Sequence, residues 1–501
     1  MLLCKHRPPV QQLLVPTCDT IIRDVEVLDG TGGPSRHAHV AIHRDRIQAV
    51  GELNGYSALH TVKADSKALA PGFIDAHTHD DICVIERPEM MPKLSQGITT
   101  VVTGNCGISA APVRLSGSVP DPMNLLGNAS SFRYPTFTSY VDALNAAHPA
   151  VNVATLVGHT ALRNNYMDRL DRSATSNEID AMRKQLREAL DHGAIGLSTG
   201  LAYLSAYSAD TSEVAALAQL LSEAGGIYTA HLRSEGQAIL EAIAEALNIG
   251  HRAQVPVIIS HLKCYGIDNW GRAAEVLQTL EAAPNYESLG WDCYPYSASS
   301  STLDLRQVDE RVSIVITWSE PHPQAAGQTL EEIAGGWSVS QMEAAKRLQP
   351  AGAIYHAMSE EDVRMILRHP ATMIGSDGLP NDPRPHPRLW GTFPRFLGHY
   401  SREERLFPLG EAIHKMTGLP AERFGLKDRG FIREGYFADV VLFNPETIRD
   451  LASFDDPVRA AVGIDAVWVN GVLSYDNQAT TGARAGRFLA RQRHRESIST
   501  G

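Results

Sequence analysis

Cysteine is scarce in this chain, six residues in 501, too few and too scattered for a disulfide framework, so a reducing compartment, the cytoplasm, is expected. No apolar run approaches the roughly 18 residues that a membrane-spanning helix needs, which argues against a membrane partner. The opening Met1-Leu2-Leu3-Cys4-Lys5-His6-Arg7 breaks off its apolar run at once, and no secretory signal is expected from it. Positive charge is also short. Against 57 Asp plus Glu stand 45 Lys plus Arg, leaving a net charge of -12, the wrong sign for a nucleic-acid partner. What remains is 43% hydrophobic and 20% charged, ordinary for a globular chain, and long enough for one large domain plus a smaller one.

Residues 1–16 carry no periodic pattern and are expected to form a loose tail. Short β-rich runs follow, Ile21–Leu28 and Val40–Ile42, separated by the turn cluster Asp29–Pro34. The far end has the same character in Asp439–Pro445 and Ala466–Leu473. Neither end holds enough strand for a stable sheet, so residues 17–69 and 425–490 are expected to pair into one β-sandwich.

Between them, residues 70–424 alternate apolar β-type runs with helical ones. The runs lie at 72–74, 98–102, 151–157, 195–198, 227–230, 255–260, 289–292 and 371–376. Helices are expected over Ser176–His192, with Ser176 as the cap, over Thr211–Glu223 and over Ser234–Asn248. Eight strands in alternation with helices predict a (β/α)8 barrel. A doubly wound open sheet is the competitor, but no Gly-x-Gly-x-x-Gly follows the first strand. About 301–350 fits the alternation poorly and is expected to be an insertion on a barrel loop.

Candidate ligands recur just past the apolar runs. His77 and His79 are two residues apart in extended backbone, so both rings can face one metal ion, with Asp80 and Asp81 next door. Cys106 follows the second run, His231 the fifth, His261 the sixth and Asp377 the eighth. Any one of these alone would be an ordinary buried or loop residue. Six at equivalent strand ends, where barrel function sits, point to a metal centre of thiolate and imidazole ligands with Asp377 as general base. Cys264 and Cys293 lack metal spacing and are expected to be structural. His159 and Arg163 follow a strand and are candidates to line the site.

At these residues the chain resembles a known group. Pro71-Gly72-Phe73-Ile74-Asp75-Ala76-His77-Thr78-His79 is similar to the signature of the amidohydrolase superfamily. Gly104-Asn105-Cys106-Gly107, Ser260-His261-Leu262-Lys263-Cys264, Tyr294-Pro295-Tyr296, Gly375-Ser376-Asp377-Gly378 and Pro385-His386-Pro387-Arg388 resemble the N-acyl-D-amino-acid deacylases within it. The resemblance, over about residues 20–490, implies an α/β fold, a (β/α)8 barrel with a β-sandwich built from both termini and a small inserted domain. It implies zinc held by Cys106, His231 and His261, a second, weaker or vacant metal position at His77 and His79, and no carboxylated lysine. It implies hydrolysis of an N-acyl-D-amino acid, a small-molecule substrate, with Asp377 moving the proton. It also implies that Arg388 and Tyr294 hold the substrate α-carboxylate. Lys263 is a further candidate to face the substrate, and Arg306 to read an acidic side chain.

Two other readings compete. A cyclic-amide hydrolase or nucleobase deaminase would be expected to lack Cys106 as ligand and the His386-Pro387-Arg388 grip. An inert metal-binding scaffold would need a closed set of four ligands and no spare base, which Asp377 contradicts.

Overall fold

A computed structural model of the chain describes residues 17–284 and 286–491; the tail expected at 1–16 lies outside them. Eight parallel strands form one sheet, in chain order Phe73–Asp75, Ile98–Thr103, Asn152–Gly158, Gly196–Gly200, Ile227–His231, Val257–Ile259, Leu289–Cys293 and Thr372–Ile374. The first and last strands meet: Ala76 N donates to Ile374 O at 3.2 Å, Asp377 N to His77 O at 2.8 Å, and Thr78 bridges Gly378 in parallel. The sheet therefore closes into the expected barrel. Gly375 stands at this seam because a Cβ there would lie 2.5 Å from His77 Cβ.

Alternation along each strand sorts the core. Ile74, Val102, Ala154, Ile258 and Met373 point into the barrel and are closed off from below by Leu419, Ala421, Phe424 and Leu426. Their neighbours Phe73, Val101, Val153, Ile259 and Ile374 join the larger cluster under the surrounding helices. Parallel strands buried on both faces are apolar throughout, which is why they read as continuous runs.

Helix ends correct the sequence reading in two places. The helix Ser176–Asp191 is capped by Thr175, whose side chain accepts from Glu178 N while Glu178 reaches back, so Ser176 is the first helical residue rather than the cap. The helix expected from Ser234 starts at Ile239 and runs to Ala253. Residues 232–238 are instead drawn over the barrel mouth, with Glu235 bound to Lys263 and His261.

Strands from both ends of the chain share one nine-stranded sheet, joined where Ala68–Pro71 pairs antiparallel with Val440–Phe443. The sheet curls over, since Arg46 on its far edge bridges Phe437, just before Val440. A core of Ile22, Val40, Ile47, Leu69, Val440 and Trp468 fills the fold. A third sheet, antiparallel, is built from Ser299–Thr302, Ile314–Ser319 and Ala351–Tyr355, with two helices packed on its own apolar cluster. No helix among the described residues is long and apolar enough to cross a membrane.

Candidate metal centre

The candidate residues converge at the carboxyl end of the barrel. Cys106 Sγ lies 3.2 Å from His77 Nε2 and 3.2 Å from His261 Nε2, and His231 also hydrogen-bonds the sulfur. His79 Nε2 lies 3.1 Å and His77 Nε2 3.5 Å from Asp377 Oδ1. The rings of His231 and His261 stand nearly perpendicular, centroids 4.5 Å apart. All six are buried. One donor atom each from His77, Cys106, His261 and Asp377 fall within 4.8 Å of one another. Ligand bonds of about 2.0–2.3 Å place the donors of one tetrahedron roughly 3.3–3.8 Å apart; the 3.2 Å Cys106–His77 and Cys106–His261 pairs lie close to that spacing, so the cluster is compact enough to close on a zinc-like ion.

Three of these residues hold strained backbone. Cys106, His261 and Asp377 have φ of 54°, 36° and 49°, the left-handed region that non-glycine residues enter at a cost of about 1 kcal/mol or more. In each case the bend turns the side chain at the strand end, in a framework packed tightly enough to enforce it.

The electrostatics are reciprocal. Burial pushes the Cys106 thiol up, but His77 and His261 outweigh it and bring its pKa well below the ordinary thiol value. Burial pulls His79 down, yet the Asp377 hydrogen bond and Cys106 raise it to about 9. Burial likewise pushes Asp377 up, and Arg388 and His79 hold it well below the usual carboxylate range. A thiolate and a carboxylate are the forms that coordinate metals and accept protons.

Beside this cluster lies a second group. Arg388 Nη2 donates to Ser300 O at 3.0 Å and lies 2.9 Å from Asp377 Oδ2, and its guanidinium sits 4.5 Å from the Tyr294 ring centroid. Arg388 is 1% exposed, yet its Nε and Nη1 have no hydrogen-bond partner, and neither has the Tyr294 hydroxyl. Buried donors left unpaired are costly, and an anionic ligand would satisfy them. Lys263 Nζ hydrogen-bonds Glu235 and lies 2.8 Å from His261 Nδ1 and 5.9 Å from the Tyr294 ring.

Arg306 stands apart. Its Nε and Nη2 lie on Asp304, Nη2 also donates to Ala202 O at 2.8 Å, and none of its hydrogen bonds reaches the cluster. His159 and Arg163 are both bound to the buried Glu213 and form a structural knot, not a lining of the site. Cys264 and Cys293 are buried and free, their thiols pushed up by burial.

Residues not singled out from the sequence complete the centre. Asp292, at the end of the seventh strand, lies 3.2 Å from His77 Nδ1 and accepts from His261 N at 3.0 Å. Glu235 lies 2.9 Å from His261 Nδ1. Each orients a ring through its remote nitrogen, as partners of metal-bound imidazoles do. Asp292 was legible as an acid ending an apolar run; Glu235 had only its spacing of four from His231. Tyr203 packs on His231, ring centroids 4.8 Å apart.

Known proteins resemble this chain over nearly its whole length. The profile of the amidohydrolase family matches residues 60–475. A D-aminoacylase of Alcaligenes xylosoxydans xylosoxydans is 48% identical over 473 residues, 94% of this chain and 98% of that protein. An N-acyl-D-aspartate deacylase of the same organism is 46% identical over 94% of this chain and 95% of its own length. The crystal structure of an N-acyl-D-glutamate deacylase from Bordetella bronchiseptica, complexed with zinc and a phosphonate mimic of the tetrahedral intermediate, superposes with a TM-score of 0.92 at 43% identity. It covers 95% of this chain and all of that one.

Proposed function

The chain belongs to the amidohydrolase family, and from that premise we infer that it hydrolyses the amide bond of N-acyl-D-amino acids, releasing a D-amino acid and a carboxylate. The observation that carries this reading is the pairing of a buried thiolate–imidazole cluster with a buried, half-unsatisfied arginine on the same carboxylate, Asp377. Such a site offers a metal ligand set at one end and a receptor for a substrate carboxylate at the other.

We assign Cys106, His231 and His261 as the residues that hold zinc, and His77 and His79 as a second position, weaker or vacant. Zinc, when bound, supplies a Lewis acid that polarises the acyl carbonyl and lowers the pKa of water. Asp377 takes the proton of the water whose oxygen attacks the acyl carbon. As the carbon–nitrogen bond breaks, it returns that proton to the departing amine. Arg388 and Tyr294 hold the α-carboxylate, and Lys263, paired with Glu235 beside them, faces the substrate. Arg306 is proposed as a rim contact to the substrate side chain. Asp304 already neutralises it, so it favours an acidic side chain only by exchanging that partner; an unchanged side-chain ranking in R306A would remove the role.

We read residues 17–69 with 425–490 as one unit, and 70–424 as the catalytic barrel with an insertion at about 301–350. The terminal sheet's inner cluster and the insertion's own cluster support that division, while Val441, Phe443, Val467 and Tyr475 on the sheet's other face pack with the barrel's helical shell. A cytoplasmic location is proposed from the five described cysteines, all free. The test of the reaction class offers zinc-loaded protein an N-acetyl-D-amino acid and, separately, a cyclic amide such as a hydantoin. Turnover of the linear amide is expected; ring opening with no linear turnover overturns the reading.

A further inference from the structure

Lys93 is 0% exposed, an unusual place for an ammonium group. It sits in the one-turn helix Met91–Leu94 between the first two barrel strands, and its Nζ lies 2.8 Å from Asp75 Oδ2, 3.0 Å from Asp80 Oδ2 and 3.1 Å from Ser376 Oγ. These partners bracket the candidate centre. Asp75 and Asp80 flank His77 and His79, and Ser376 immediately precedes Asp377.

Asp75 and Ser376, together with the His77 carbonyl between them, capture three consecutive backbone amides at the left-handed bend. Ser376 N donates to Asp75 Oδ1 at 2.7 Å, Asp377 N to His77 O at 2.8 Å, and Gly378 N to Ser376 Oγ at 3.2 Å. Two buried carboxylates without a countercharge would destabilise this seam, and Lys93 is a cation that faces them both.

Three residues on, Gln96, also 0% exposed, does a parallel job. Its Nε2 donates to Leu389 O at 2.8 Å and its Oε1 accepts from Phe393 N at 3.2 Å. That carbonyl and amide are the i and i+4 pair an α-helix joins directly, and the helix is the one that begins at Arg388.

We propose that the buried turn Lys93–Gln96 is the positioning element of the active site, Lys93 fixing Asp377 through Ser376, and Gln96 fixing Arg388 through its helix. This rests on reading Asp377 as the base and Arg388 as the carboxylate receptor. Neither Lys93 nor Gln96 touches substrate. Misplacing a catalytic group by about 1 Å costs on the order of a hundredfold, so small displacements are readable.

The division of labour gives the test. S376A, which removes the link but leaves the Lys93 ion pairs, is expected to lower kcat about tenfold with KM within twofold. Q96L is expected to raise KM about tenfold with kcat within twofold. Both should retain zinc, read by elemental analysis, and a melting temperature near that of the parent. K93M is the stronger variant for kcat; if it does not fold, S376A carries the arm. Adding S376A to D377N should cost nothing further, because the base it positions is gone. If S376A and Q96L shift kcat and KM alike, or leave both unchanged, the proposal is overturned. If D377N alone keeps full turnover, it is the base assignment that fails, and the two failures are distinguishable.

Discussion

The Asp292 carboxylate lies 3.2 Å from His77 Nδ1, across 215 residues of chain, and so leaves His77 Nε2 turned on the Cys106 sulfur. The ring's tautomer and tilt are thereby set from behind. Replacing Asp292 with Asn keeps the size and removes the charge. Affinity for metal at this position is expected to fall 10- to 100-fold, read by competition with a chelating dye. Unchanged affinity would make Asp292 a barrel-packing residue only.

Asp377 is both a neighbour of the candidate ligands and the proposed base. In D377N, kcat is expected to drop by about 10²–10⁴ while the Cys106–His231–His261 set keeps its zinc. Elemental analysis on the same preparation separates lost chemistry from lost metal.

Arg388 presents two unpaired donors beside the Tyr294 ring. Lysine cannot offer the planar fork, so R388K is expected to lower kcat/KM by about 10- to 100-fold, the worth of a hydrogen bond to a charged group. A neutral amide analogue of the substrate α-carboxylate should be insensitive to the same substitution.

Glu213 predicts how the fold responds to acid. Burial pushes its carboxyl up, but hydrogen bonds from His159 and Arg163 outweigh that and hold it at about 2 against an ordinary 4.5. Its stabilisation, at most about 3 kcal/mol, is fully present above pH 4.5 and is lost as pH falls from there toward 2. Burial keeps His159 below its ordinary pKa despite Glu213, so Arg163 is the lasting positive partner. E213Q is expected to be less stable at pH 7 and to have a flatter melting temperature between pH 5 and 3.

Much of this was legible in the sequence for a physical reason. Parallel barrel strands are buried on both faces and appear as uninterrupted apolar runs, and the candidate ligands sit at their carboxyl ends: His231 closes its strand, His261 lies two residues and Asp377 three residues beyond theirs. Lys93 was not legible. In Met91-Pro92-Lys93-Leu94 it reads as a solvated lysine, and its burial depends on Asp75 and on Ser376, the latter 283 positions away. The partner of Arg306 was not legible either: the sequence shows a cation in a loop, and the fold sets Asp304, two residues before it, against the guanidinium. The start of the helix at Ile239 was hidden because Ser234 looks like a cap, while Glu235 is taken by Lys263 and His261.

The central claim is a stereospecific, zinc-dependent deacylation, and the most direct measurement uses matched D and L N-acetyl amino acids with zinc-loaded protein, detecting the free amino acid released. The account predicts release from the D series alone, abolished by chelation and restored by zinc. Equal release from both series, or release from the L series only, would contradict it.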